Sequence, residues 1–391
     1  MEREHSLLNP SSSDIWMNCT RAPRFAAQFE KKNSDYAEEG TLCHSIATDL
    51  LLYRLKRINK RVYLTRLGEH REHRLYNDEM DGYAEGFVNY VLQIYYSAKQ
   101  KGWADIWIET RIDYSHIAPE GYGHLDIAII SAGTIDIIDL KYGKGVAVSA
   151  LVNSQLGLYA IGVIKSLELL QDEFDKLNLH IYQPRIDNIS VFNTTVKDCV
   201  HWAEKTVKQK AQLAFKGEGE FSAGKWCRFC AALPKCKAAT EHHKQLTKYN
   251  FVMPYELSNE DIADVLLLGQ TLETWLTAVK DYAQAEARKG VKFPGFKMVN
   301  GRAVRKYKEG KEQQIKSVLK KAGHSESAFT ITQLLGIGGM EKLLGKQGFT
   351  KLLGKFVEKP EGAPTLVPET DKRKAINGKD GLIKAFKDIK I

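Results

Sequence analysis

A chain of 391 residues is longer than the usual single domain, and a composition of 43 % hydrophobic, 27 % charged and 10 % aromatic residues is that of a folded globular protein. These values exclude disorder, collagen or a coiled coil over the whole length. The formal charge of +9 is unevenly placed: residues 288–391 hold 24 Lys and Arg against 10 Asp and Glu, whereas residues 1–287 hold 33 against 38. A basic, glycine-punctuated C-terminal part suits a polyanionic partner, although a solvated lysine-rich surface has the same composition. No stretch approaches the roughly 18 uninterrupted apolar residues of a membrane span, and the start MEREH lacks the apolar run of a signal peptide. The expectation is a cytoplasmic protein with no membrane partner.

In chain order, Ser11-Ser12-Ser13-Asp14 has the composition of a helix cap and leads into a short helix through Trp16, Cys19 and Phe25. Apolar residues at helical spacing predict further helices over 41–55 and 78–98. The period then changes. Segments 104–115, 122–131 and 134–142 are short, rich in isoleucine and separated by turn residues, which predicts three consecutive strands, the last two joined by a tight hairpin. An apolar helix follows over 153–170, then strands near 177–184 and 188–195 and a helix over 196–216. This order predicts an α/β fold with a mixed central sheet flanked by helices over residues 1–250. Residues 251–391 read as a second, mostly helical and basic domain, with a hairpin at 295–308 and an extended proline- and charge-rich tail beyond Lys359.

Polar residues interrupt the strands at specific places. Asp126 breaks an otherwise apolar strand, and Asp139 with Lys141 breaks the next. Buried carboxylates are costly unless paired or metal-bound. Asp139 and Lys141 are two apart and so share a strand face, and a hairpin can bring Asp126 beside them. Two acids and a lysine converging at a sheet end can bind Mg²⁺ and leave the lysine to orient or deprotonate a water. On the strand pattern alone, a same-face salt bridge between Asp139 and Lys141, with Asp126 a turn-side acid, is the simpler explanation. Asp136 points to the opposite face and reads as structural. His44 stands early in a helix ahead of the sheet, and Gln155 and Tyr159, four apart, share a helical face directly after the lysine strand.

Taken in order, GTLCH, GHLD, DLKYGKG and QLGLY, followed by CRFCAALPKC, resemble the PD-(D/E)XK nuclease superfamily across about residues 11–240. The resemblance is to its RecB-like branch, which also contains CRISPR-associated adaptation exonucleases and AddB-type nuclease domains, and within it to a phage and prophage family. It implies a restriction-endonuclease-like core in which His44, Asp126, Asp139 and the Leu140 carbonyl bind Mg²⁺ or Mn²⁺, with Lys141 catalytic. Gln155 and Tyr159 match the motif that orients nucleic acid or braces the site. The implied activity is a metal-dependent DNA exonuclease, 5′ to 3′ if it follows its relatives, resecting DNA ends in phage-type recombination in a bacterial host. A structure-specific endonuclease or a non-cleaving nucleic-acid-binding scaffold are the alternatives. Here the acid of the DXK motif is Asp139 rather than the commoner glutamate. Glu109 reads either as an acid behind the ligands or, more simply, as an exposed strand residue.

Six cysteines, three of them within ten residues, argue for a metal site rather than a disulfide framework. Cys227, Cys230 and Cys236 need a fourth ligand. The resemblance supplies Cys19, making a 4Fe-4S cluster that closes the two ends of the nuclease domain. Zn²⁺ is the alternative, with His242 or His243 completing a local site. Cys43 and Cys199 read as packed thiols. Arg302, Arg305, Lys306, Lys308, Lys311, Lys316, Lys320 and Lys321, near Phe296 and Tyr307, suit DNA phosphates and bases. The glycine-rich segment 330–349 suits either a small helical core or docking of a partner such as a phage single-strand annealing protein. Related exonucleases form rings, which makes a homo-oligomer an expectation by analogy.

Overall fold

The computed structural model describes residues 6–29, 35–167, 173–249, 252–253 and 257–296. The chain divides into two compact units, Met1–Val291 and Lys292–Ile391. The cationic cluster from Arg302 to Lys321, segment 330–349 and the tail beyond Lys359 lie outside the described residues, as does the expected hairpin apart from Gly295 and Phe296.

Five strands form one sheet in the order β1 (Ala104–Asp113), β2 (Tyr122–Ser131), β3 (Thr134–Leu140), β4 (Lys176–Gln183) and β5 (Asn188–Thr195). The β1–β2, β2–β3 and β4–β5 pairs are antiparallel, while β3 and β4 run parallel. A parallel neighbour requires a crossover, and the segment between β3 and β4 supplies one helix for it (α6, below). The first unit is therefore an α/β fold with a five-stranded mixed sheet flanked by helices.

Before the sheet, among the described residues, come α1 (Ser13–Asn18), α2 (Ala22–Ala26), α3 (Asp35–Arg54), α4 (Lys60–Glu72) and α5 (Glu79–Lys101). The crossover helix is α6 (Ser154–Ser166). After the sheet, α7 (Val196–Trp202) and α8 (Lys208–Lys216) run on from one another through a π turn at Ala203–Val207, and α9 (Lys237–Lys244) and α10 (Asn259–Arg288) follow.

Each face of the sheet has its own core. On one side Trp16 of α1, Ile112, Leu125, Ile135 and Ile137 of the strands, and Leu156 to Ile164 of α6 pack together with Ala203, Ala211 and Ala214. Helix α6 comes close enough that a Cβ on Gly162 would stand 2.6 to 3.1 Å from Ile112 side-chain atoms. The other face is covered by α3 and α5, whose Cys43, Ile46, Phe87 and Val91 meet Ile106, Ile127, Ile129, Ile138 and Leu140. Asp136 opens onto this second side. It accepts from Asn178 Nδ2 at 2.9 Å and lies 3.1 Å from His180 Nε2, whose Nδ1 is 2.8 Å from the Tyr90 hydroxyl. Cys43 and Cys199 are buried, one in each core, and burial pushes both thiols up to about 12.

Strands β1 and β2 change phase at one point. Ile106 and Ile127 face the α3/α5 layer, whereas Ile112 and Leu125, also two or a multiple of two along each strand, face the α6 layer. Regular alternation would keep each strand's pair on one face. The slip occurs between Ile108 and Thr110 on β1 and between Leu125 and Ile127 on β2, where the ladder omits Glu109 and the Asp126 opposite it. Glu109 has φ +44°, left-handed backbone that non-glycine residues seldom adopt.

Helix α10 begins with a capping box in which Ser258 and Asp261 exchange hydrogen bonds, and it packs on α9 and on the 3-10 turns Lys225–Phe229 and Leu233–Lys235. That packing carries the first compact unit to Val291, beyond the boundary at residue 250 expected from the sequence. By length and composition α10 is apolar enough to cross a membrane, with a mean hydropathy of 1.2 over 18 residues. It nevertheless carries Asp264, which is ion-paired at 2.8 Å with Lys248.

Candidate metal and phosphate site

The ladder between β2 and β3 ends at the Ile127–Ile138 pair. One step further, Asp126 and Asp139 would face each other, and there the strands exchange side-chain for backbone partners: Asp126 Oδ2 accepts from the Leu140 amide at 2.8 Å. Two groups of polar side chains meet at this opening, one from each side of the sheet.

On the α3/α5 side, His44 Nδ1 lies 3.4 Å from Asp126 Oδ2. His44, Asp126 and Glu109 each offer one ligand atom, all within 4.8 Å of one another. A small cavity lined by these three, Thr48 and Leu140 opens beside them, with Ala47, Leu51 and Phe87 as its apolar wall. Burial works to lower His44, but the adjacent Asp126 carboxylate, with Asp139 and Glu109 behind it, overrides burial and lifts the imidazole to about 9. Burial and the charge of Asp126 lift Glu109 to about 6, against His44 and the hydrogen bond that Thr48 donates to it at 3.1 Å. For Asp126 burial is outweighed by His44 and the Leu140 amide, and its carboxyl is held below the usual range.

On the α6 side Asp139 is 2 % exposed. Its Oδ1 accepts from Gln155 Nε2 at 3.0 Å, and its Oδ2 lies 2.9 Å from Lys141 Nζ in a geometry that makes no hydrogen bond. Lys141 Nζ donates instead to Gln155 Oε1 at 2.9 Å, and Gln155 Nε2 also reaches the Tyr159 hydroxyl at 3.0 Å. Helix α6 can hold Gln155 and Tyr159 in line because they are one turn apart, and its N-cap Asn153 accepts from the Leu156 amide at 3.1 Å. Burial, with the charge of Asp126 added and that of Lys141 opposing, leaves Asp139 above the usual carboxylate range.

The structure thus gathers all of His44, Asp126, Asp139, Leu140, Lys141, Gln155 and Tyr159 at one sheet end. It also adds Glu109 to His44 and Asp126 as the compact donor group, while Asp139 is turned toward Lys141 and Gln155. Glu109 is exposed as a whole residue, as the simpler reading of the sequence expects, yet its carboxylate is enclosed by the site, where burial raises it. A positive-φ glutamate leaves no mark in hydrophobic periodicity; the only sequence signal was an acid opposite Asp126 in register. One imidazole nitrogen and carboxylate oxygens form a donor set that suits a hard or borderline divalent ion. Asp139 Oδ2, buried with the Lys141 ammonium at 2.9 Å as its ion-pair partner, keeps lone-pair capacity that such an ion could also use.

Cys19, Cys227, Cys230 and Cys236 line a second, largely apolar pocket with Ile15, Phe25, Phe221 and Trp226. Cys19 arrives at the C-cap of α1, and the trio comes from the two 3-10 turns that follow α8. Backbone amides address the sulfurs: Ser222 N is 3.4 Å from Cys19 Sγ and Gly224 N is 3.4 Å from Cys227 Sγ. Burial pushes Cys230 up to about 11. No three of these sulfurs fall within 4.8 Å of one another, since His44, Glu109 and Asp126 are the one such group among the described residues. Four thiolates around a single Zn²⁺ stand roughly 3.8 Å apart. His243 is buried elsewhere, its ring against Trp275 and its Nδ1 3.5 Å from Thr271 Oγ1, and neither it nor His242 lines the pocket.

Over residues 5–374 the chain matches the family described as "Protein of unknown function (DUF2800)". The match covers most of its length, and the chain belongs to that family.

Proposed function

We propose that this member of the DUF2800 family is a metal-dependent deoxyribonuclease of the PD-(D/E)XK superfamily, RecB-like branch, acting as an exonuclease. The observation that carries the reading is the meeting of two groups at the open end of β2 and β3: three donors on one side, and a lysine held by an acid and a glutamine on the other. The order of motifs along the chain agrees with that superfamily.

His44, Asp126 and Glu109, with Asp139 and the Leu140 carbonyl adjacent, would hold Mg²⁺ or Mn²⁺. A bound divalent ion supplies positive charge that acidifies a water and offsets charge building on the phosphate. The chain's own residues do the positioning. The Leu140 amide fixes one Asp126 oxygen, leaving the other free to turn outward. Gln155 holds Lys141 and Asp139 together, so that Nζ points at a defined place and can orient a water or take its proton. Tyr159 anchors Gln155 from behind.

For the cysteine pocket we favour a 4Fe-4S cluster over Zn²⁺, because the remote Cys19 that the RecB-like resemblance implies lines the same apolar pocket as Cys227, Cys230 and Cys236. Its role would be to tie α1 to the segment after α8. A cytoplasmic setting, processing of DNA ends in phage-type recombination, an annealing-protein partner and a homo-oligomer belong to the same proposal.

Incubating end-labelled duplex DNA with the protein in Mg²⁺, Mn²⁺ or EDTA tests the reading. Cleavage with either metal, absent in EDTA and in Asp126→Asn, is the expected result. DNA binding without cleavage under all conditions would replace the nuclease with a binding scaffold.

A further inference from the structure

The loop after Lys141 and the loop between Cys227 and Cys230 are distant in sequence but adjacent in space: a Cβ on Gly145 would stand 3.9 Å from the Arg228 guanidinium. Both are cationic. Residues 141–149 and 224–230 contain Lys141, Lys144, Lys225 and Arg228 and no carboxylate. Among the described residues neither Lys144 nor Arg228 has an ion pair with an acid. Phe229 is 79 % exposed, an unusual position for a phenyl ring, and the Arg228 guanidinium sits over it, 5.4 Å from the ring centroid.

Both loops are held in place from below. Gln183, 2 % exposed at the end of β4, donates to the carbonyls of Gly143 at 2.6 Å and Val146 at 3.0 Å and accepts from the Val148 amide at 3.0 Å. Arg228 and Phe229 stand between two cysteines that face the apolar pocket, so the pocket sets the direction in which they project. An arginine over an exposed ring, facing a loop whose Lys144 lies three residues after Lys141, has the chemistry of a single-strand grip: guanidinium and ammonium on phosphates, ring on a base.

We propose that Lys144, Arg228 and Phe229 form a clamp that binds one strand of DNA next to Lys141, so that the cysteine pocket serves strand binding as well as tying the domain together. The inference rests on the nuclease reading for the direction of the strand, but its binding arm can be measured without cleavage. With a fluorescein-labelled oligothymidylate in EDTA, anisotropy of the full chain should show binding that weakens about tenfold in Arg228→Ala and about tenfold in Phe229→Ala, the range of one stacked base. Arg228→Ala should also flatten the salt dependence by about 0.7 in log–log slope, one single-strand phosphate. Phe229→Trp should keep the affinity, and its added fluorescence should be quenched as the oligonucleotide binds.

Under cleavage conditions the double variant should raise KM while leaving kcat unchanged at saturating DNA. Equal affinity, equal salt slope and an unquenched Trp would overturn the clamp even in a protein that cuts DNA. Loss of binding in the variants of a chain that never cuts would uphold the clamp and remove the nuclease reading. Absence of any oligonucleotide binding by the unaltered chain would overturn the clamp as well.

Discussion

Asp139 lies buried beside Asp126, and its raised carboxyl means that the ionised form works against folding in the metal-free chain. Asp139→Asn keeps the shape and the Gln155 contact but removes that charge. Its thermal midpoint in EDTA should therefore exceed that of the unaltered chain, while Mn²⁺ should raise the midpoint of the unaltered chain by more than that of the variant. This is the trade expected where a site keeps charge that the fold alone disfavours. His44 gives a pH dependence of the opposite kind. Its folded pKa, about 9, lies above the ordinary imidazole value, so its stabilisation is complete below about pH 6.5 and is lost as pH rises through 9. Thermal midpoints of the metal-free chain should fall across that window, and His44→Gln should flatten the fall. Glu109 shows what escapes sequence reading at this scale. Its residue type and its place in a strand were legible, but the left-handed backbone that brings it to His44 and Asp126 was not.

At the scale of elements, the strands announced themselves through alternating isoleucines, and the crossover helix through its unbroken apolar run. Helix α4 did not, because Leu67 is its one buried residue and the rest of KRVYLTRLGEHRE faces outward or sideways. Without an apolar stripe there is no periodicity to read. Its anchor is polar instead: Arg66 and His70 meet the buried Asp49 of α3 at 2.7 and 2.8 Å. The contact of α6 with the sheet predicts a steep packing cost. In Gly162→Ala the new methyl would press on Ile112, which is fully buried and has nowhere to move, so a loss of about 1 to 3 kcal/mol is expected in denaturant titration. Gln183→Ala would strand three backbone groups of the loop after Lys141. It should cost a similar 1 to 3 kcal/mol by order of magnitude, with faster amide exchange over residues 143–148.

For the molecule as a whole, the cysteine pocket joins α1 to the segment that follows α8, over two hundred positions apart: Ser222 N reaches Cys19 Sγ across a separation of 203 residues. The trio was legible as a metal motif, whereas the partnership with Cys19 followed from resemblance and not from any local pattern. Protein purified without oxygen should be brown with absorbance near roughly 400 nm, the signature of a thiolate-held iron-sulfur centre. Cys19→Ser should lose the colour and lower the thermal midpoint, and a colourless, zinc-loaded preparation would assign the pocket to zinc. The extent of the first compact unit was also not legible at residue 250, because the residues that draw α10 back onto the cysteine segment are far from it in sequence.

The central claim is that the open end of β2 and β3 hydrolyses DNA from its ends. It is tested most directly by following end-labelled linear and closed circular DNA with anaerobically purified protein in Mg²⁺, Mn²⁺ or EDTA, beside Lys141→Ala. Loss of linear but not circular DNA, dependent on metal and reduced at least about a hundredfold in the variant, is the predicted result. Intact DNA in every lane, or degradation that Lys141→Ala leaves unchanged, would contradict it.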